Sequence, residues 1–178
     1  MYGASSSVGS IAAQLAAASG AYVIAIASSR NFEFCRSCGA SEVFDYNDES
    51  VVEHVANAVQ DAAPANVAGI YDAISQQESY DTTIPILQKV GSGNLVTVLP
   101  GPDKIPATSQ PNYVEGINDA VHPLWEQFIT PALSQGVLKR TPAPHVVGHS
   151  LKDVEEACEL NQRGVSARKV VIALEGTR

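Results

Sequence analysis

The chain predicts an α/β protein, a doubly wound parallel sheet with helices on both faces. Three observations carry this prediction. Helical and strand patterns alternate with short connections over residues 10–99. The run "YVIAIA" (22–27) is almost wholly apolar, as suits a parallel strand buried on both faces. Near the N-terminus a glycine- and serine-rich loop, "GASSSVG", runs straight into an alanine-rich helix, so small residues precede the free amides of a helix start.

The elements follow in order. "SIAAQLAAAS" (10–19) is rich in strong helix formers; its helix begins near Val8–Gly9 and stops at Gly20. After the strand at 22–27, "NFEFCRSC" (31–38) reads as a helix with Asn31 as N-cap and Gly39 as stop. "EVFDY" (42–46) is a short strand. A helix beginning at Asp48 places Val51, Val52, Val55 and Val59 on one face. "VAGIYDAI" (67–74) is the next strand. "ESYDTTIPILQKV" (78–90) is a helix weakened by Pro85, which removes a hydrogen bond. "NLVTVL" (94–99) is a further strand.

Beyond residue 100 the pattern changes. "PGPDKIPATSQPNY" reads as a loop, residues 119–135 as a longer helix carrying Trp125 and Phe128, and "LKRTPAPHVVGHS" as extended chain. Ser150 caps a helix that stops at Gly164, with Asp153 as the acidic half of a capping box. "RKVVIAL" (168–174) is the last strand. The division expected is a doubly wound unit over 1–135 and a C-terminal segment over 136–178.

Composition narrows the function. Of 178 residues, 45% are hydrophobic and 17% charged, within the globular range. A net charge of −8 argues against nucleic acid, whose phosphates need lysine and arginine stripes. No apolar run is long enough to span a membrane and no signal peptide opens the chain, so a cytoplasmic protein is expected. Cys35 and Cys38 form a C-x-x-C with no second Cys/His pair at zinc-like spacing; they read as ordinary thiols one helical turn apart, and no metal is expected. His54, His122, His145 and His149 are scattered and read as structural or solvated.

The loop chemistry can be separated from its look-alikes. A nucleoside-triphosphatase loop needs Lys after its last glycine, and Gly9 is followed by Ser10. A hydrolase elbow needs Gly-x-Ser-x-Gly, and position 7 is serine. About twenty residues past the glycine loop, dinucleotide-binding folds meet the adenosine ribose, where an NAD binder offers a carboxylate. Here that place holds Ser28, Ser29, Arg30 and Asn31. Arg30 can bond a 2′-phosphate that a carboxylate would repel, so the residues favour NADPH over NADH.

The segments "SSSVGSIAAQLA", "ASSRNF", "CGASEVFDY" and "GVSARKVVIAL" together resemble the Rossmann-like cofactor domain of zinc-independent medium-chain dehydrogenase/reductases. Among these the chain is most similar to fungal trans-acting enoyl reductases that partner polyketide synthases. The resemblance implies cofactor contacts from Ser5, Ser6, Ser7 and Val8 along the phosphates. It places Ser28, Ser29, Arg30 and Asn31 at the 2′-phosphate, Tyr46 near the adenosine, and Leu99 and Pro100 beside the nicotinamide. Val165 and Ser166 form a late segment that also reaches the cofactor.

The reaction implied is hydride transfer from NADPH to an α,β-unsaturated thioester or enone. The substrate would be a small molecule or a carrier-bound acyl group. A quinone reductase-like enzyme and a non-catalytic NADPH-binding module are the alternatives. No residue presents itself as general acid; Asp72 and Asp81 read as cap or surface residues. Relatives of this kind carry a substrate domain and a first sheet strand ahead of the glycine loop. Against that pattern Met1–Tyr2 read as the stump of the strand. The sheet is expected to lack its first strand, and 136–178 to be a remnant of the substrate domain. Two unpaired edges and an opened core should follow, with Trp125, Phe128 and Leu133 exposed and weak or no activity from the chain alone.

Overall fold

The computed structural model describes residues 1–62, 67–101, 111–112 and 121–174. Much of the loop expected over 100–113, and the first two residues of the helix expected over 119–135, lie outside them. Helix α1 spans Ser7–Ala18, strand β1 Ile24–Ala27, a 3₁₀ turn Ser29–Asn31, and α2 Phe32–Ser37. Then follow β2 (Glu42–Asp45), α3 (Val51–Ala62), β3 (Gly69–Asp72), α4 (Gln77–Val90) and β4 (Asn94–Thr97). A two-residue strand, β5 (Pro111–Asn112), falls inside the stretch expected to be loop.

β1 pairs β2, β3 pairs β4 and β4 pairs β5, all in parallel. Tyr2 joins the two halves, forming parallel bridges to both Ile26 and Asp72. The Met1 carbonyl accepts from Ile26 N at 2.8 Å, and Tyr2 N donates to the Tyr71 carbonyl at 2.9 Å. The sheet thus runs β2, β1, Tyr2, β3, β4, β5. Toward the N-terminal ends of the strands, β1 and β3 border a gap of about 640 Å³ lined by Ile24, Ile26, Val55, Val59, Ile70 and Val90. Two unpaired edges are expected here; instead Met1 and Tyr2 hydrogen-bond to both β1 and β3, and the gap lies beside them.

Alternation along β1 sorts the core into two faces. Ala25 and Ala27 pack with Ala13 of α1 and with Cys35 and Cys38 of α2. Ile26 packs with Val51 and Val55 of α3 and Ile86 of α4, with Ile24 alongside. The valines expected on one face of α3 therefore meet the sheet. Pro85 lies inside α4 without ending it, because the next two residues, Ile86 and Leu87, are buried and hold the helix on the sheet. Cys35 and Cys38 are free thiols in the core, and burial pushes Cys35 up to about 11.

Residues 121–134 are helical but not uniformly so: α5 (Val121–Pro123), a π-helical stretch (Leu124–Ile129) and α6 (Thr130–Ser134). Pro131 has no N–H for the Gln127 carbonyl, and the Thr130 amide reaches back five residues to Trp125 instead. Trp125 and Leu133 are exposed, as expected, whereas Phe128 is half-buried. A second parallel pair follows, β6 (Ala143–Gly148) with β7 (Arg168–Ile172), linked by a 3₁₀ turn (Leu151–Asp153) and α7 (Val154–Arg163). The Ser150/Asp153 capping box is present: Ser150 N donates to the Asp153 carboxylate at 2.8 Å. No helix among the described residues is long and apolar enough to cross a membrane.

Candidate functional site

The loop between Tyr2 and α1 sits over the C-terminal ends of β1 and β3, where the strand order changes direction and open α/β sheets form a crevice. Two glycines make its shape possible. Gly3 has φ +67°, and a Cβ there would stand 2.6 Å from Ile74 Cγ1. A Cβ on Gly9 would run into the Gly3 carbonyl. The helix start is therefore folded tightly back on the loop. Ser6 caps it, its Oγ accepting from Gly9 N at 3.0 Å. Among the described residues no partner takes the amides of Ser7 and Val8, which point a helix N-terminus at the crevice.

Buried Asn31 ties three distant segments together. Its Nδ2 donates to Ser5 Oγ at 3.2 Å and to Ser166 Oγ at 2.9 Å; Ser166 Oγ donates in turn to Asn31 Oδ1 at 3.3 Å. Asn31 stands at the N-cap position of α2, as expected, but its side chain makes no capping bond. The tertiary partners occupy it. Ser28 and Ser29 begin the 3₁₀ turn and Arg30 is exposed beside them, without an ion pair among the described residues. The exposed Tyr46 ring lies 6.4 Å from the Tyr2 ring, at the edge of the same loop.

The strand end was expected to be free of carboxylates, and the 28–31 segment itself is. Across from it, however, β2 ends in Asp45, in register with Ala27. Asp45 Oδ2 accepts from Ser29 N at 3.1 Å and Oδ1 from Asn47 N at 2.9 Å. The Asn47 and Ser29 hydrogen bonds hold its carboxyl below the usual carboxylate range. Sequence reasoning missed Asp45 because its neighbour is set by strand pairing, not by proximity in the chain.

Leu99 and Pro100 are exposed just past β4, where the Pro100 carbonyl accepts from the Tyr80 hydroxyl at 3.4 Å. No described contact joins them to the loop. Val165 is half-buried near Ser166, and Ala167 next to them has φ +48°. Asp72 is fully buried: its Oδ1 accepts from Ile74 N and Ser75 N, both at 2.9 Å, and so holds the turn after β3. Asp81 is on the surface of α4, accepting from Gln77 at 2.7 Å. Asp81 is the surface residue expected, whereas Asp72 is buried rather than solvated, and its Oδ2 has no hydrogen-bond partner among the described residues. Among the described residues no three His, Cys, Asp or Glu side chains converge as a metal site.

Comparison with known proteins shows the family and the fold. The family model described as zinc-binding dehydrogenase matches residues 7–114. The dehydrogenase orsE of Emericella nidulans is 41% identical over 98% of this chain and 50% of its own length. The trans-enoyl reductase himH of Aspergillus japonicus is 34% identical over 98% of this chain and 51% of its own. The chain spans about half the length of these relatives. The crystal structure of CurA from Vibrio vulnificus, in complex with NADPH, superposes on it with a TM-score of 0.69 at 18% identity, covering 99% of this chain and 56% of that one.

Proposed function

This chain belongs to the zinc-binding dehydrogenase family, and from that premise we propose that it is the cofactor-binding part of an NADPH-dependent oxidoreductase. The observation that carries the proposal is the unpartnered start of α1, whose Ser7 and Val8 amides open on a loop lined by Ser5 and Ser6. Such a start suits a pyrophosphate. Arg30, exposed and free of any described ion pair, supplies the charge a 2′-phosphate needs.

In this reading Ser5, Ser6, Ser7 and Val8 hold the diphosphate, and Ser28, Ser29 and Arg30 the 2′-phosphate. Tyr46 borders the adenosine, and Leu99 and Pro100 the nicotinamide. Asn31, Val165 and Ser166 close the crevice from the C-terminal side. When bound, NADPH supplies the hydride. The protein's own part is to orient the acceptor carbon of an unsaturated thioester or enone and to keep water away. Similarity to a trans-enoyl reductase supports a carrier-bound acyl substrate and a polyketide synthase as partner. The division at residue 135/136, a cytoplasmic setting and little turnover by the chain alone belong to the same proposal. No step runs through a metal.

Titration calorimetry with NADPH and NADH tests it. NADPH should bind about tenfold or more tightly than NADH, the worth of a charge-assisted contact. Arg30→Asp should reverse the order; an unchanged preference overturns the 2′-phosphate assignment. Failure of both nucleotides to bind overturns the cofactor reading itself. A panel of thioesters against quinones then separates enoyl from quinone reduction.

A further inference from the structure

The proposed 2′-phosphate end has an anion already seated in it. Asp45 stands at the end of β2, opposite Ala27, and its Oδ2 takes the Ser29 amide at 3.1 Å. That amide opens the helical segment formed by the 3₁₀ turn at Ser29–Asn31 and α2 behind it. The other carboxylate oxygen is held by Asn47, from its backbone N at 2.9 Å and its Nδ2 at 2.8 Å. All three donors are neutral amides. Neither described ion pair involves Asp45 or Arg30, so the charge of each is left uncompensated within salt-bridge distance.

We infer that Asp45 is a specificity-determining residue, a built-in anion that holds the turn carrying Arg30 while weakening its grip on a 2′-phosphate. The inference rests on the NADPH reading above. A phosphate drawn to Arg30 must come close to the neighbouring Ser29 amide, which the carboxylate already occupies. The incoming charge is also repelled by a like charge on the same rim. A ribose 2′-hydroxyl meets no such penalty: it is neutral and can donate to the carboxylate. Asp45 thus narrows the gap between the two nucleotides that Arg30 opens. The hydrogen bond and the charge make opposite contributions, and substitution can separate them.

Asp45→Asn keeps an acceptor for Ser29 N and removes the charge, while its amide nitrogen replaces the oxygen that accepts from Asn47. In calorimetric titrations its NADPH/NADH affinity ratio should rise at least about fivefold over the parent. The gain should appear equally in adenosine 2′,5′-bisphosphate against adenosine 5′-monophosphate, which lack the nicotinamide. Because the effect is electrostatic at an exposed rim, it should shrink between 50 mM and 500 mM salt. A purely structural role would not show that shrinkage. Asp45→Ala serves as the second variant: it loses the hydrogen bond too, and its NADPH/NADH ratio should also rise even if both affinities fall.

A ratio unchanged or lowered in both variants overturns the inference. So does a raised ratio that is indifferent to salt. If the parent binds both nucleotides and Arg30→Asp reverses their order while Asp45→Asn changes nothing, this inference alone falls. If the parent binds neither nucleotide, the cofactor reading falls and takes the inference with it.

Discussion

The two faces of β1 are built from different residues for different ends. On one, Ala25 and Ala27 meet the alanines of α1 and the thiols of α2. On the other, Ile24 and Ile26 meet the valines of α3 and Ile86. Small side chains bury little area but let a helix axis come close to the sheet. Here that closeness brings the start of α1 down onto the loop, where Gly9 has no room for a Cβ. Bulky side chains bury more apolar surface and contribute more stability per residue. One face positions the proposed site, and the other holds the fold.

Ile86→Ala puts the largest strain on this comparison. Ile86 is 1% exposed, so its truncation should cost about 2–5 kcal/mol in urea unfolding. Ala25, at 0% exposure, should respond to the opposite change: Ala25→Leu overpacks the narrow face and costs about 1–3 kcal/mol. It should also weaken nucleotide binding, since α1 must move away from the loop. If Ala25→Leu is neutral, or Ile86→Ala costs less than it, the assignment of roles to the two faces is wrong.

Asn31→Ala should have an intermediate effect. It leaves Ser5 and Ser166 without their shared partner and should cost about 1–3 kcal/mol. Limited proteolysis sharpens the point: the segment around Val165–Ala167 should become cleavable before the sheet does.

The smallest effect concerns pH and belongs to the narrow face. Burial pushes the Cys35 thiol up from its ordinary 9.0 to about 11 in the folded chain. Below pH 9 the thiol is protonated in both states and contributes no pH dependence. Between pH 9 and 11 the unfolded chain releases this proton and the folded chain keeps it, so stability falls as pH rises through that window. Denaturation midpoints measured from pH 8 to 11 should show the decline, and Cys35→Ala should remove part of it. The exposed Cys158 should react with a thiol reagent well before Cys35 or Cys38.

Most of the sheet was legible because its signals are local. Gly20 and Gly39 stop α1 and α2 where expected, with φ +86° and +92°. The apolar run read as a strand over 22–27 was two residues too long: Tyr22 is exposed and pairing begins at Ile24. The strand expected over 67–74 likewise shrinks to Gly69–Asp72, because Asp72 turns the chain with its own carboxylate. β5 and the π-helical stretch were missed. The first depends on β4 as a partner, and the second on the carbonyl that Pro131 leaves without its donor.

The candidate site divides the same way. The glycines, the serine cap and the Arg30 position follow from residue types at fixed spacing, and a linear reading finds them. Asn31 looked like a helix cap because its neighbours in the chain are all such a reading can see. Its real partners lie 26 and 135 residues away.

By itself, then, the sequence determined the α/β alternation, which residues face the core, and the glycine loop with its arginine about twenty residues on. These rest on backbone propensity and hydrophobic period, which act over a few residues. Only the tertiary structure decided that Tyr2 bridges two strands, that Asn31 ties the loop to Ser166, and that Asp45 reaches Ser29. Each of these is a contact between segments that strand pairing brings together, and hydrogen bonds have a reach of about 3 Å, whatever the distance along the chain.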